Sequence, residues 1–208
     1  MAITAQPIKC VGNSNPGNPA PVSEGNIGEA ASLTFKQGTP IAMGTGGTAG
    51  YYIAWAGTDP AGAPSILGIS DQFGQNLTTN GVQKPGSYGS VQNQSAALNL
   101  YYSGPVSPSG VGGCGIPFPV WGKGNRFTAV FGNAGAAATP ALSDVGKFYG
   151  LTLDTGGNYW YVDKSKATQG TNTAVRVVEI DPATSANGAN ITANTLVIFE
   201  ADPATSEL

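Results

Sequence analysis

The sequence predicts an all-β protein: a β-barrel or sandwich of short antiparallel strands with long Gly/Pro-rich loops and an extended N-terminal arm. Two observations support this fold class. Glycine and proline together supply 31 and 15 of the 208 residues, which indicates a folded chain with many turns and long loops. The apolar runs of the last third are short, rich in β-branched and aromatic residues, and bounded by turn residues, as strands of a sheet or barrel are.

Residues 1–30 are predicted to form the arm. Pro16, Pro19 and Pro21 lie among glycines and asparagines in a segment that has little to bury and no helical period. Such composition favours an extended, partly polyproline-like chain. The arm is either a floppy leader or a segment that lies on a neighbouring subunit, and in the second case the three prolines are candidate contact residues.

Residues 31–102 are predicted to form a first β-rich module. The stretch "LTFKQGTPIAM", residues 33–43, predicts two short strands around Gln37-Gly38, because apolar residues alternate on either side of that turn. Further strands are predicted at 51–57 and 65–70. Residues 96–102 are either a strand or a short helix, and the alternation of Leu98, Leu100 and Tyr102 favours a strand. The glycine-rich stretch 44–50 precedes a β-like run rather than a helix, so we interpret it as a loop and not as a phosphate-binding site.

Residues 103–126 are dense in glycine and proline and contain Trp121. They form either a long surface loop or the junction of two halves. Exposure of a tryptophan in such a segment of a chain with few charges would be unusual, so we predict that Trp121 contacts another subunit or a partner protein.

Residues 127–208 are predicted to form a second β-rich module, which either shares one domain with 31–102 or stands apart. Its predicted strands lie at 127–132, 147–154, 158–163, 174–180 and 194–200. The stretch "EIDPATS" recurs 21 residues later as "EADPATS". Since Asp-Pro starts a turn, we interpret both copies as a shared turn at a strand exit.

The tripeptide Asp154-Thr155-Gly156 is the motif with which aspartic proteases present a catalytic carboxylate. These enzymes need two facing carboxylates that share a proton, yet no second Asp-Thr/Ser-Gly occurs in the chain. Gly156-Gly157 between two β-rich runs is typical of a tight hairpin. We therefore predict a turn at Asp154.

Composition excludes several classes of function. The chain has no histidine, which removes Ser-His-Asp and Cys-His nucleophile pairs and histidine metal sites. Cys10 and Cys114 are too few for a structural zinc site or a disulfide scaffold; they form either two separate thiols or one bridge. We predict no catalytic residue, no cofactor and no metal, and hence no enzyme.

Charge and hydropathy limit the partners. Only 10% of residues are charged, and the nine lysines and arginines are scattered along the chain, so no positive stripe could follow a nucleic acid backbone. No apolar run approaches the roughly 18 residues that a membrane span needs, and no secretory signal is visible. Three tryptophans and eight tyrosines suggest a carbohydrate platform, although aromatic residues in β-proteins more often serve the core or subunit contacts.

The segment from "LTFKQGTPIAM" to "SILGISDQFG" resembles the start of tailed-phage capsid decoration (cement) proteins. Those chains often run through a short strand, an x-Gly-x-Pro turn, a strand, a Gly-rich loop and an Ile-Leu-Gly-Ile-like strand that ends near an aspartate. The matching residues are Phe35, Gly38, Pro40, Ile66, Leu67, Gly68, Ile69 and Asp71. The pattern of residue types in 148–165 also looks like that of small β-barrel virion proteins.

This resemblance implies a protein that is made in the host cytoplasm and then adds to the exterior of an assembled virion capsid. Its partner would be the major capsid protein, and it would act as a homo-oligomer, commonly a trimer at symmetry axes, that clamps neighbouring subunits. The alternative is a β-rich fibre or a receptor- or glycan-binding module of a virion or surface appendage, with exposed tyrosine and tryptophan as the contact. A hydrolase that uses Asp154 is the third interpretation.

Overall fold

The computed structural model of the protein describes residues 3, 6–14, 38–43, 52–55, 66–70, 118–122, 124–154, 159–168, 173–182, 191–193 and 195–203. Within these residues the chain forms β-strands and one short 3-10 turn, Leu142–Asp144, with no α-helix. The strands are β1 (Lys9–Asn13), β2 (Pro40–Met43), β3 (Tyr52–Ala54), β4 (Gly68–Ile69), β5 (Asn125–Asn133), β6 (Ala136–Ala137), β7 (Phe148–Leu153), β8 (Trp160–Asp163), β9 (Val175–Ile180) and β10 (Leu196–Ala201). The all-β prediction is confirmed.

Five of these strands close into a ring. Strand β5 pairs with β10, β10 with β9, β9 with β7 and β7 with β8, all antiparallel, and β8 returns to β5 in parallel. A ring with an odd number of strands needs one parallel contact, because antiparallel neighbours alternate in direction. That contact is short and pairs Phe131 with Val162 and Gly132 with Asp163. The described part of the main sheet is therefore a small closed barrel whose interior is filled by side chains.

Strand β1 lies in the segment predicted to be the arm. It pairs antiparallel with the first half of β5, from Lys9 opposite Thr128 to Asn13 opposite Asn125. A bulge between Cys10 and Gly12 leaves Val11 opposite no residue of β5 and exposed, and such bulges are common at sheet edges. The start of the predicted arm is therefore a strand of its own chain's sheet, whereas residues 15–37, including the three prolines, lie outside the described residues.

A second, three-stranded sheet has the order β3-β2-β4. Two backbone bonds continue it onto the segment before the barrel: Ile69 N–H donates to the Pro119 carbonyl and Trp121 N–H to the Leu67 carbonyl. At this crossing Gly68 lies against the Phe118 ring, where a Cβ would collide with that ring. Part of the Gly/Pro-rich stretch 103–126 thus joins the two sheets.

One hydrophobic core receives side chains from both sheets. Trp55 follows β3 and packs on Trp160 of β8, with ring centroids 5.1 Å apart. Beside β10, the rings of Phe127 and Phe199 stack at 5.8 Å. The buried cluster runs through these aromatics to the valines of β9 and the aliphatic residues of β2 and β4. The described parts of 31–102 and 127–208 therefore share one core.

The pattern of buried residues in each strand depends on whether one or both faces of the strand are shielded from solvent. In β10, buried and half-buried residues alternate from Leu196 to Ala201, because one face points into the barrel. In β5, Phe127 to Gly132 are all buried, since both faces of this strand are covered. The buried part of β5, "FTAVFG", accordingly carries no charged residue and does not alternate between apolar and charged positions.

Candidate functional site

Trp121, predicted to contact another subunit, is a core residue instead. Only 1% of its surface is exposed, and its ring lies 5.6 Å from Phe127 and 6.2 Å from Phe199. The contact prediction was wrong because the backbone of Trp121 is bonded to Leu67, and this pairing directs the indole inward. A side chain this buried cannot touch a partner unless the fold opens.

Asp154 closes the hairpin between β7 and β8, as the turn interpretation predicts. Leu153 is opposite Trp160 in an antiparallel pair. The Asp154 N–H donates to the Tyr159 carbonyl at 2.9 Å, and the Tyr159 N–H donates to Asp154 Oδ1 at 2.8 Å. The carboxylate therefore holds the turn, which is a common role for aspartate between strands.

The tryptophans do not form a carbohydrate platform. Trp55, Trp121 and Trp160 are all buried, as are Tyr149 and Tyr161. Sugar-binding platforms need exposed aromatic faces, so the expectation of exposed tryptophan as a contact is wrong for all three tryptophans.

A different surface stands out: residues 134–147, which cross from β5 to β7 and which we call the strap. Among these fourteen residues only Pro140 and Asp144 are buried. The strap begins with the turn of the β5–β6 hairpin, then carries β6, and ends in the 3-10 turn before β7. Two buried carboxylates hold its two turns.

The first turn is held by Asp163, at the end of β8. Ala134 and Gly135 both have positive φ, 49° and 87°, as the two central residues of a type I′ hairpin must. The Ala134 N–H donates to Asp163 Oδ1 at 3.0 Å, and the Gly135 N–H donates to the Tyr161 hydroxyl at 2.9 Å. The Asp163 carboxylate also accepts hydrogen bonds from the Thr152 hydroxyl and from both the N–H and the hydroxyl of Ser165.

The second turn is held by its own Asp144, which has no exposed surface. Its carboxylate accepts the Ala141 N–H at 2.9 Å and the Tyr149 hydroxyl at 2.7 Å. The ammonium of Lys164 lies 3.0 Å from it and also 5.7 Å above the centre of the Phe131 ring. Asp144 thus ties the strap to β7 and to the residue after β8.

These contacts fix the protonation of both carboxyls. Burial alone would raise the pKa of Asp144, but the hydrogen bonds from Tyr149, Ala141 and Lys164 outweigh it and lower that pKa below its ordinary value. For Asp163, burial is likewise outweighed by the bonds from Ala134, Ser165 and Thr152, and its pKa is lowered too. Both groups are therefore ionised at neutral pH.

The tyrosines that meet these carboxylates are shifted the other way. Burial, followed by the bond to Asp144, raises the pKa of Tyr149. Burial and the charge of Asp163 raise the pKa of Tyr161. Both phenols stay protonated, which suits them as donors to a carboxylate rather than as nucleophiles.

The second turn also carries an apolar protrusion, Leu142 and Val145, which we call the knob. Leu142 is 79% exposed and Val145 is 40% exposed, and the Val145 N–H donates to the Leu142 carbonyl, so the two are neighbours on one turn. The only charge between residues 133 and 146 is that of Asp144, buried and paired with Lys164. The knob is thus an uncharged apolar contact on an anchored turn. Sequence reasoning missed it, although "ALSDV" in a segment without a helix is a visible signal.

A charged row crosses the outside of the barrel on three adjacent strands. Glu200 of β10 pairs with Arg126 of β5 and with Arg176 of β9, each at 3.0 Å. The arginine side chains are about two-fifths exposed, and ion pairs at such positions contribute little to stability. We regard this row as a fixed surface feature that helps to set the strand register.

In the part of the chain that the structure describes, no cluster of three or more Cys, Asp or Glu side chains is arranged to hold a metal ion. Cys10 is half-buried in β1, and Cys114 lies outside the described residues. None of the described segments is a helix long and apolar enough to cross a membrane.

Comparison with known proteins adds no relative. No protein-family model matches the chain, and neither a curated protein nor a solved structure matches it.

Proposed function

We propose that this chain is a structural virion protein that binds the outer surface of an assembled phage capsid and stabilises it by clamping neighbouring subunits. The resemblance to capsid decoration proteins around residues 33–71 supports this proposal. So does the composition, since a β-barrel with few charges can make broad contacts with other protein at a small desolvation cost.

The observation that carries the proposal is the knob. Leu142 and Val145 protrude from a turn that Asp144 fixes to the barrel, so binding would order few additional rotamers. Burial of the surface that these two side chains still expose, 79% for Leu142 and 40% for Val145, is worth about 2–4 kcal/mol before the costs of association. Contacts of this size are weak singly, but an oligomer that presents several knobs to a symmetric shell gains by multivalency.

A binding experiment with capsids tests the proposal. Purified protein is mixed with expanded, assembled capsids, and both co-sedimentation and the temperature of capsid rupture are measured. We expect the wild-type protein to bind and to raise the rupture temperature. Its oligomeric state, proposed to be a trimer, is measured by sedimentation equilibrium.

Two variants show whether the knob makes the contact. Leu142→Asp combined with Val145→Asp should abolish binding while the thermal unfolding of the free protein stays unchanged. Val11→Asp combined with Leu153→Asp is the matched control, because these two residues are also exposed but lie in β1 and at the end of β7 rather than on the strap. Equal binding by both variants would remove the knob from the interface. Failure of the wild-type protein to bind any shell, together with retention on a glycan array, would favour the fibre or receptor-binding function instead.

A further inference from the structure

The strap is attached to the barrel mainly through polar contacts. Its large apolar side chains, Leu142 and Val145, point outward. Its apolar attachment is small: Ala138 packs against the core and Pro140 is buried. Backbone pairing holds its middle, where β6 lies against Gly132 and Asn133, and its end, where Gly146 donates to Val177. Both of its turns, however, depend on a carboxylate.

The first turn is also conformationally strained. Ala134 has a φ of 49°, a left-handed conformation that a residue with a Cβ adopts only when its surroundings impose it. The bond from its N–H to Asp163 supplies part of that constraint. Loss of the negative charge would weaken this bond, because charge-assisted hydrogen bonds are the stronger kind.

We propose that the strap is an acid-sensitive latch: protonation of Asp144 and Asp163 releases residues 134–147, and the knob with them, while the five-stranded barrel stays folded. This inference does not depend on the proposed function, since it concerns only how the strap is attached to its own barrel.

Few other titratable groups lie beside the carboxylates of Asp144 and Asp163. Among the described residues, the titratable groups that face Asp144 are Tyr149 and Lys164, and the one that faces Asp163 is Tyr161 at 3.4 Å. Both tyrosines are neutral through the acid range, because their pKa values are raised. The two aspartates are therefore the groups whose charge changes as the pH falls.

The sign and size of the effect follow from linkage. Each carboxyl has a lower pKa in the latched state than in water, so its contribution to closing the latch is complete well above the pKa of a free aspartate, about 3.9. Below that value each carboxyl multiplies the opening constant by up to about tenfold per pH unit, until its latched pKa is reached. Two carboxyls together give up to about 100-fold per pH unit.

Hydrogen exchange at single-residue resolution tests the latch in the intact protein. Protection factors, corrected for the intrinsic pH dependence of exchange, are measured between pH 7 and pH 3 for the Ala134, Gly135 and Ala141 amides. Barrel amides of β10, such as those of Val197 and Phe199, serve as the internal reference because this strand pairs with β5 and β9 and not with the strap. We expect the strap amides to lose at least tenfold protection between pH 4.5 and pH 3 (an interval chosen around the free-aspartate pKa) while the barrel amides keep theirs.

Variants separate the latch from general acid unfolding. Asp163→Asn should lower the protection of Ala134 and Gly135 already at pH 7 and flatten its dependence on pH. Asp154→Asn, which alters the carboxylate of a different hairpin, should leave the strap amides as in the wild-type protein. The proposal would be overturned if strap and barrel amides lost the same amount of protection at each pH. Wild-type strap amides that stay protected at pH 3 would overturn it as well, and neither result requires Asp163→Asn to fold.

Discussion

Replacement of Trp121 by alanine tests whether this residue belongs to the core. The side chain is 1% exposed and stacked on Phe127. An aromatic side chain buries about 150–250 Å², which at about 25 cal/mol/Å² corresponds to roughly 4–6 kcal/mol. The alanine variant keeps part of this through local collapse, so we expect it to lose about 3–5 kcal/mol of unfolding free energy.

Urea denaturation followed by far-UV circular dichroism measures this loss. With a slope of about 2 kcal/mol per molar urea, a loss of 4 kcal/mol lowers the midpoint by roughly 2 M. Trp121→Phe should cost less than about 2 kcal/mol. The indole N–H is buried with no acceptor among the described residues, and its removal recovers part of the packing loss.

Val11→Ala is the control for a change in exposed apolar surface. Val11 is 53% exposed, so the substitution should change stability by no more than about 0.5 kcal/mol. The core assignment would be refuted if Trp121→Ala cost less than about 1 kcal/mol while weakening the binding of capsids. That outcome would show that Trp121 contacts a partner protein.

Three further predictions concern the turns and crossings. Gly68→Ala should lower the thermal midpoint by roughly 2–12 °C, because the new Cβ meets the Phe118 ring and overpacking costs about 1–3 kcal/mol. An unchanged calorimetric midpoint would show that Gly68 and Phe118 can move apart. Ala134→Gly should stabilise the protein by up to about 1 kcal/mol in urea titrations, because glycine adopts a positive φ without the Cβ penalty. A loss of stability would contradict the inference that the backbone of Ala134 is strained. The lowered pKa values of Asp144 and Asp163 mean stability that is complete above about pH 5 and is lost as the pH falls through the folded-state pKa values. A thermal midpoint that is flat from pH 7 to pH 3 would contradict the lowering of these two pKa values in the folded state.

The sequence predicted the strands of the barrel well where local pattern decides them. The run 174–180 became β9, Val175–Ile180, and 194–200 became β10, Leu196–Ala201, because alternating β-branched residues and turn boundaries specify a half-buried strand. The hairpin at Asp154 was predictable for the same reason. In both cases the deciding signal is a pattern within a few consecutive residues of the sequence.

Features that depend on distant partners were missed. Lys9–Asn13 is a strand only because β5 pairs with it, and nothing local in "KCVGN" requires pairing. Trp121 was misjudged since its burial depends on Leu67, far away in the sequence. Asp163 resembles any aspartate at a strand exit, and its five donors come together only when the barrel closes.

The closure of the ring has a consequence for biosynthesis. One side of β5 pairs with β1, made more than a hundred residues earlier, and the other side with β10, made more than sixty residues later. A nascent chain that has passed residue 133 therefore carries a strand whose second edge, at residues 127–130, stays unpaired until Ala201 has left the ribosome. Such an edge can recruit the same strand of a neighbouring nascent chain on a polysome. We expect arrested chains that stop before β10 to aggregate, and slower translation between 134 and 195 to reduce the soluble yield.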